Sequence, residues 1–272
     1  MKNIAIITGA SSGIGASFVR EISASETYFD EIWIIARREE KLRALRDELK
    51  DERIIPVSAD LADPSGTQII KSKLQADKPA VGLLVNCAGL GKRAPVEAQT
   101  EKALGDTLDV NCKALTILTR ICIPYMQTGD ASFGGKGAGI INVASSAAFL
   151  PQPGFTVYAA SKSYVTSFSR ALAMELYYDG IRVTAVCPGP VNTEFQVNAT
   201  DGKSTEFTGF RKLLAADPDK LSKASIRACK AGRYLFVYGI SQKLLHIASK
   251  IVPTYWIISM MKIRKEKNTE KK

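Results

Sequence analysis

Seven short apolar runs constrain this chain more than any other feature. They lie at Asn3–Thr8, Glu31–Ala36, Arg53–Ser58, Gly82–Asn86, Gly139–Ala144, Ile181–Cys187 and Arg233–Tyr238, are rich in Ile and Val, and are mostly continuous rather than alternating. A strand with one wet face alternates apolar and polar residues, whereas a continuous run predicts burial on both faces, as in a parallel sheet covered by helices. The intervening stretches have helical spacing. Phe18, Val19 and Ile22 mark one helix, and Leu42, Leu45 and Leu49 the next. A third helix opens at Pro64, a residue suited to a first turn, and runs to about Ala76. Longer helices are predicted over Glu101–Met126 and Thr156–Tyr178, and another over Pro218–Lys230. Strand and helix in strict alternation give an α/β, doubly wound parallel sheet of about seven strands flanked by helices.

At 272 residues, with 46% apolar and 24% charged side chains, the chain suits one globular domain with a sizeable core. The N-terminal apolar run, Ile4–Ile7, is too short for a secretory signal, and no stretch approaches the roughly 18 apolar residues of a membrane span. The expected location is the cytoplasm. The five cysteines, Cys87, Cys112, Cys122, Cys187 and Cys229, form no C-x-x-C pair and read as small buried hydrophobes, with no disulfide framework and no metal site. The formal charge is +10. Part of it is a tail in which Lys262, Arg264, Lys265, Lys267, Lys271 and Lys272 oppose Glu266 and Glu270, leaving +4. No basic stripe with interleaved aromatics is present elsewhere, so no nucleic-acid partner is expected. Residues Thr128–Gly139, with five glycines, read as a surface loop and a tolerated insertion.

The first strand leads into Thr8-Gly9-Ala10-Ser11-Ser12-Gly13-Ile14-Gly15, and a helix follows at once. Strand, glycine turn and helix N-terminus together make a pyrophosphate site, because glycines admit the backbone to the phosphates and the first helical N–H groups face the anion. Gly9, Ser11, Ser12, Gly13, Ile14 and Gly15 are therefore candidate cofactor contacts, and the fold is of the single-domain Rossmann type. The same residues match the G-x-S-x-G nucleophile elbow of hydrolases. That chemistry also needs a histidine, and the only one, His246, lies in a late surface helix. The second strand ends at Ala36-Arg37-Arg38, where an NAD site would carry a carboxylate for the ribose 2′-OH. Arg37 and Arg38 instead suit a 2′-phosphate, which points to NADP(H).

Tyr158 and Lys162 stand four apart on a predicted helix, so they share a face. A neighbouring ammonium stabilises a phenolate and lowers the pKa of a phenol that is otherwise near 10. Ser145 ends the strand Ile140–Ala144, at the edge where parallel sheets bind ligands, and its hydroxyl can donate to a carbonyl beside Tyr158. Ser146 is the alternative.

These motifs, with Asp60-Leu61, Asn86-Cys87-Ala88-Gly89, Asn111 and Pro188-Gly189, resemble in kind and order those of short-chain dehydrogenase/reductases of the shorter-subunit branch. The resemblance covers roughly residues 1–238. It implies that Tyr158 is the general acid/base and that Lys162 lowers its pKa and holds the nicotinamide ribose. By the same resemblance Ser145 polarises the carbonyl and Asn111 anchors a water-mediated proton relay to Lys162. It further assigns Asp60 and Leu61 to the adenine, Asn86, Ala88 and Gly89 to the adenosine half, and Pro188, Gly189, Val191 and Thr193 to the carboxamide. Asn86-Cys87 stands where the family more often has two asparagines, and the glycine insertion after Met126 is a second departure. The implied activity is NADP(H)-dependent interconversion of a ketone and a secondary alcohol, without metal, in a homodimer or homotetramer. The endings of some ketoacyl-type reductases look similar, which favours a lipophilic substrate, 3-oxoacyl or steroid-like.

After Thr193 the chain is polar and without clear period, and the resemblance implies a mobile lid there. Residues 239–263 read as a helical extension of the 1–238 catalytic domain, and 264–272 as a flexible basic tail. In the extension Ile240, Leu244, Leu245, Ala248, Ile251, Val252, Tyr255 and Trp256 fall at helical spacing, Lys243, His246 and Lys250 lie off that face, and Pro253 divides two helices. The stripe suits packing on its own core or on a second subunit, peripheral membrane contact, or closure over a greasy substrate. An NADP(H)-sensing regulator or a membrane-associated protein on the same fold is the alternative to an enzyme.

Overall fold

Alternate side chains of the central strands feed two large cores on opposite faces of the sheet, which is why the strands read as continuous apolar runs. The structure, a computed structural model, describes residues 1–127, 129–135, 137–200, 215–259 and 261. The strands are β1 (Asn3–Thr8), β2 (Glu31–Ala36), β3 (Ile54–Ser58), β4 (Ala80–Asn86), β5 (Gly139–Val143), β6 (Arg182–Cys187) and β7 (Leu235–Val237). They form one sheet in the order β3-β2-β1-β4-β5-β6-β7, every neighbouring pair parallel. Ile4 and Ile6 of β1 join one core, Ala5 and Ile7 the other. The helices α3 (Pro64–Asp77), α5 (Leu115–Met126) and α6 (Thr156–Glu175) close the first core with Leu74, Leu118, Cys122 and Leu172. The helices α1 (Gly13–Ser25), α2 (Glu39–Leu49) and α8 (Pro218–Lys230) close the second with Phe18, Ile22, Leu42 and Ile226. Pro56 sits in β3, an edge strand, where its missing N–H leaves no ladder bond unmade.

Four expectations are corrected. The predicted helix Glu101–Met126 divides into α4 (Glu101–Leu108), a π turn over Asp109–Ala114, and α5. Hydrophobic period alone does not reveal such an expanded turn, which recurs at functional sites. The last strand is shorter than Arg233–Tyr238, because the Arg233 N–H turns back to the Ala228 carbonyl (3.0 Å) and closes the end of α8. The chain after Thr193 has structure: Glu194–Ala199 is a short helix, α7, while 201–204 of the expected lid lie outside the described residues, as does the tail 264–272. The stripe of the extension is turned outward in α9 (Ile240–Ile251) and α10 (Thr254–Ser259). Ile240, Leu244, Ile251 and Trp256 are exposed, whereas Leu245 and His246 are half-buried, the His246 ring lying 4.3 Å from that of Phe149.

The glycine-rich loop is more than a surface excursion. Thr128 and Lys136 lie outside the described residues, but Phe133 between them is fully buried in the second core. Its ring meets the Lys230 ammonium at 5.2 Å and the Arg182 guanidinium at 5.7 Å, and Lys230 is in turn paired at 2.6 Å with the buried Glu26. Phe133 thus plugs the sheet beneath β5 and β6. Phe133→Ala is expected to cost about 3–5 kcal/mol, the range for a buried aromatic truncated to a cavity. Urea denaturation measures it, and an unchanged midpoint would restore the view of the loop as a dispensable insertion.

Candidate active site

The chain leaves β1 for β2 on one side of the sheet and reaches β4 on the other, so a crevice opens at the carboxyl ends of β1 and β4. It is a cleft of about 530 Å³, and every predicted site residue lines it except Asn86 and Asn111. Its floor is fastened by Thr8, whose Oγ1 accepts from the N–H groups of Cys87 (3.0 Å) and Ala88 (3.1 Å). Gly9 is left-handed (φ 68°), and a Cβ on Gly15 would overlap the Gly9 carbonyl oxygen, so turn and helix meet only as glycines. The Ser12 side chain makes no cap bond to the start of α1, and no acidic residue lies in its first turn. A helix start with no carboxylate in its first turn, beside an open cleft, fits a dinucleotide pyrophosphate.

The cationic end of the cleft lies at the tip of β2. Arg37 is 3.9 Å from Asp60, an exposed and weak pair. Arg38 forks onto Glu194, Nη1 to Oε1 at 2.9 Å and Nη2 to Oε2 at 2.7 Å, and reaches the Ser11 hydroxyl at 3.2 Å. Lys41 donates to the same Glu194 carboxylate at 2.9 Å.

At the opposite end, Ser145 follows β5 and caps a 3₁₀ turn, its Oγ accepting from the Ala147 N–H at 3.1 Å. Tyr158 and Lys162 project from α6. Burial pushes the Tyr158 phenol up to about 12, with the Ser145 hydroxyl and, more weakly, Arg93 pulling the other way. The lowering expected from the neighbouring Lys162 ammonium is not found, since burial outweighs it. That ammonium donates to the Val143 carbonyl at 2.8 Å and lies 5.7 Å from the centroid of the Tyr158 ring. Burial lowers Lys162 to about 8. Ser146 turns its N–H to the Pro188 carbonyl (2.8 Å), joining the loops after β5 and β6.

Asn111 stands one layer behind the cleft wall, in the π turn. Its Nδ2 donates to the Leu90 carbonyl and to Ser161 Oγ (2.8 and 2.9 Å), and its Oδ1 accepts from the Leu90 N–H (2.8 Å). Asn86 does not line the cleft. It is buried between β4 and β5, donating to Asn142 Oδ1 at 2.8 Å and Thr119 Oγ1 at 3.1 Å, and Asn142 continues the seam to Ser169. Cys87 packs, half-buried, against the second core and also lines the cleft.

Sequence reasoning missed several neighbours of Tyr158 and of the cationic end. Phe155 stacks on Tyr158 with centroids 4.2 Å apart, and Phe195 flanks it at 5.3 Å. The Arg93 guanidinium lies 4.6 Å from the Phe155 ring. Lys41 and Glu194 were also missed. The last two are 153 residues apart and carry no local signal. Gly91 gave a signal too faint to use: a Cβ there would come within 2.6 Å of the Tyr158 ring.

The family model for short chain dehydrogenases matches residues 3–204. The chain is 36% identical to sulfoacetaldehyde reductase 2 of Chromohalobacter salexigens over 74% of its own length and 78% of that protein. It is 34% identical to a short chain dehydrogenase of Pseudocercospora fijiensis over 70% of its length, and spans 60% of that protein. A solved short-chain dehydrogenase from Sphingobium yanoikuyae, in complex with NADPH, superposes with a TM-score of 0.75 at 25% identity, covering 98% of this chain and 99% of that one.

The buried Lys162 ammonium carries a stability cost. Its folded pKa of about 8 lies below the ordinary 10.5, so between those values the unfolded chain holds more protons and stability rises with pH. Lys162→Met is expected to be more stable than the wild type at neutral pH by about 1–3 kcal/mol, the shift less the lost Val143 bond. It should also lose the rise in stability between about pH 8 and 10.5. Thermal melts across that range test this, and a lower midpoint for the variant at pH 7 would refute it.

Proposed function

The chain belongs to the short-chain dehydrogenase/reductase family, oxidoreductases acting on alcohol and carbonyl groups, and on that premise we propose that it interconverts a ketone and a secondary alcohol with NADP(H). The observation that carries this reading is the convergence of Ser145, Tyr158 and Lys162 on one end of a cleft whose other end presents Arg38, with Lys41 beside it on the Glu194 carboxylate. Those two cations suit a 2′-phosphate, and the similar Sphingobium yanoikuyae enzyme binds NADPH. Gly9, Ser11, Ser12, Gly13, Ile14 and Gly15 would hold the pyrophosphate, Asp60, Leu61, Ala88 and Gly89 the adenosine half, and Pro188, Gly189, Val191 and Thr193 the carboxamide end. When bound, the nicotinamide supplies hydride to the carbonyl carbon. Ser145 and Tyr158 donate hydrogen bonds to the carbonyl oxygen as negative charge develops there, and Tyr158 gives up the proton. A phenol held protonated by burial up to about 12 is suited to that donation at neutral pH. Lys162 and Asn111 act behind it, both bordering Gly89, where a Cβ would lie 3.4 Å from Lys162 Nζ and from Asn111 Oδ1.

For the substrate, the rings of Phe155 and Phe195 about Tyr158 favour a lipophilic ketone, 3-oxoacyl or steroid-like. Arg93 favours a second reading, a carbonyl compound with an anionic substituent, the class to which the substrate of the similar sulfoacetaldehyde reductase belongs.

The extension, residues 239–263, belongs to the same domain as 1–238 in this reading, supported by the close approach of Gln242 to Gly189 and of His246 to Phe149. No helix among the described residues is long and apolar enough to cross a membrane. The outward row Ile240, Leu244, Ile247, Ile251, Tyr255 and Trp256 is flanked by the exposed Lys243 and Lys250 and followed by the +4 tail. Apolar, aromatic and basic residues in that arrangement suit an anionic lipid surface facing the cytoplasm. Assembly as a homodimer or homotetramer is part of the same proposal, supported by the exposed Tyr164, Met174 and Tyr177.

Two measurements test these readings. NADPH and NADH titrations followed by fluorescence, then turnover on lipophilic ketones and on short anionic carbonyl compounds, are expected to give tighter NADPH binding. Tyr158→Phe should retain that binding and lose at least about a hundredfold in turnover. Retained turnover would remove Tyr158 from its role and bring the cofactor-sensing alternative forward. Second, the full chain should pellet with phosphatidylglycerol vesicles and not with neutral ones, and the double variant Leu244→Glu, Trp256→Glu should stay in the supernatant with turnover intact. A variant that instead drops to a smaller assembly by light scattering would make the face a subunit contact.

A further inference from the structure

The cation pair assigned above to the cofactor phosphate already holds a carboxylate of this chain. Glu194 receives two bonds from Arg38 (2.9 and 2.7 Å) and one from Lys41 (2.9 Å), and these contacts, Arg38 first, hold its carboxyl far below the usual carboxylate range. A carboxylate forked on a guanidinium with a second cation beside it has the contacts that a phosphate monoester takes. Glu194 is also the first residue of α7, and the next residue, Phe195, lies 5.3 Å from the Tyr158 ring. At its far end α7 is held by the Arg93 N–H, which donates to the Ala199 carbonyl at 2.8 Å. One short helix therefore links the phosphate-binding cations to the reacting phenol.

We propose that Glu194 and the 2′-phosphate of NADP(H) compete for Arg38 and Lys41, so that the phosphorylated cofactor releases the first turn of α7 and lifts Phe195 from Tyr158, while NAD(H) leaves both in place. The proposal rests on the NADP(H) reading above and adds a specificity-determining residue to it. The phosphate carries between one and two negative charges and three acceptor oxygens, against one charge and two oxygens for the carboxylate, so the exchange runs toward the phosphate. Glu194 weakens binding of the phosphorylated cofactor and in return makes access to Tyr158 depend on the phosphate. A dinucleotide without it can occupy the glycine turn and still find Phe195 over the phenol.

The test uses adenosine 2′,5′-bisphosphate and AMP as probes, with calorimetry for affinity and hydrogen–deuterium exchange of the peptide spanning residues 194–199. In the wild type, the bisphosphate is expected to speed exchange across that peptide and AMP to leave it unchanged. In Glu194→Gln, exchange should be fast without any probe, the bisphosphate should bind about fivefold tighter than to the wild type, and AMP should bind equally to both. If both proteins bind the bisphosphate but Glu194→Gln binds it equally or more weakly, or if the wild-type peptide does not respond, the competition is refuted and the NADP(H) reading stands. If neither protein binds the bisphosphate, the NADP(H) reading fails and the competition with it.

Discussion

A parallel sheet covered on both faces leaves its edges and strand ends as the only places where polar chemistry can sit. Every residue of β1, β4 and β5 is buried, and the two cores account for the side chains that alternate across the sheet. The backbone of those strands is satisfied within the ladder, so the first groups free to bind a ligand are those where pairing stops. Gly9, Ala88 and Ser145 lie one to two residues beyond β1, β4 and β5, and the cleft is built from them. The location of the site follows from how the core is closed.

The same packing produces the site's least comfortable group. Lys162 is 4% exposed and has a backbone carbonyl, not a carboxylate, as its hydrogen-bond acceptor. In a folded chain selected for stability alone, a methionine would serve better at that position. The ammonium, lowered by burial to about 8, lies near a phenol that burial keeps protonated, so the two groups are shifted in opposite directions by the same surroundings. Phe155 and Phe195 pack on the Tyr158 ring, and burial dominates both shifts.

What the sequence made legible follows from the range over which each signal acts. Strand β2 and helix α8 have the predicted ends, because a run of Ile and Trp between polar residues, and an Asp-Pro start with a Lys finish, are local patterns. The glycine turn and the Tyr158–Lys162 pair are local too, and both line the cleft. Asn86 lies off the cleft because a motif names residues without saying which way each faces: Cys87 and Ala88 meet the cleft, while Asn86, the last residue of β4, points into the seam with Asn142. Phe133 was misread because glycines around it outweighed one aromatic. Glu194, Phe195 and Arg93 were beyond reach, since their partners lie in other elements and only the folded chain brings them together.

The π turn at Asp109–Ala114 sets a phase. Before it, α4 lays Ala103, Asp106 and Thr107 along the cleft; after it, α5 turns Leu118 and Cys122 into the core. An ordinary helix advances about 100° per residue, so the extra residue held in the wide turn rotates everything downstream by about that angle relative to everything upstream. Two faces with different duties are thereby carried on one nearly continuous rod, with Asn111 at the point where they are offset. Loss of a single residue anywhere in that turn would leave both helices intact and bring them out of step, presenting the wrong side of one to the sheet or of the other to the cleft.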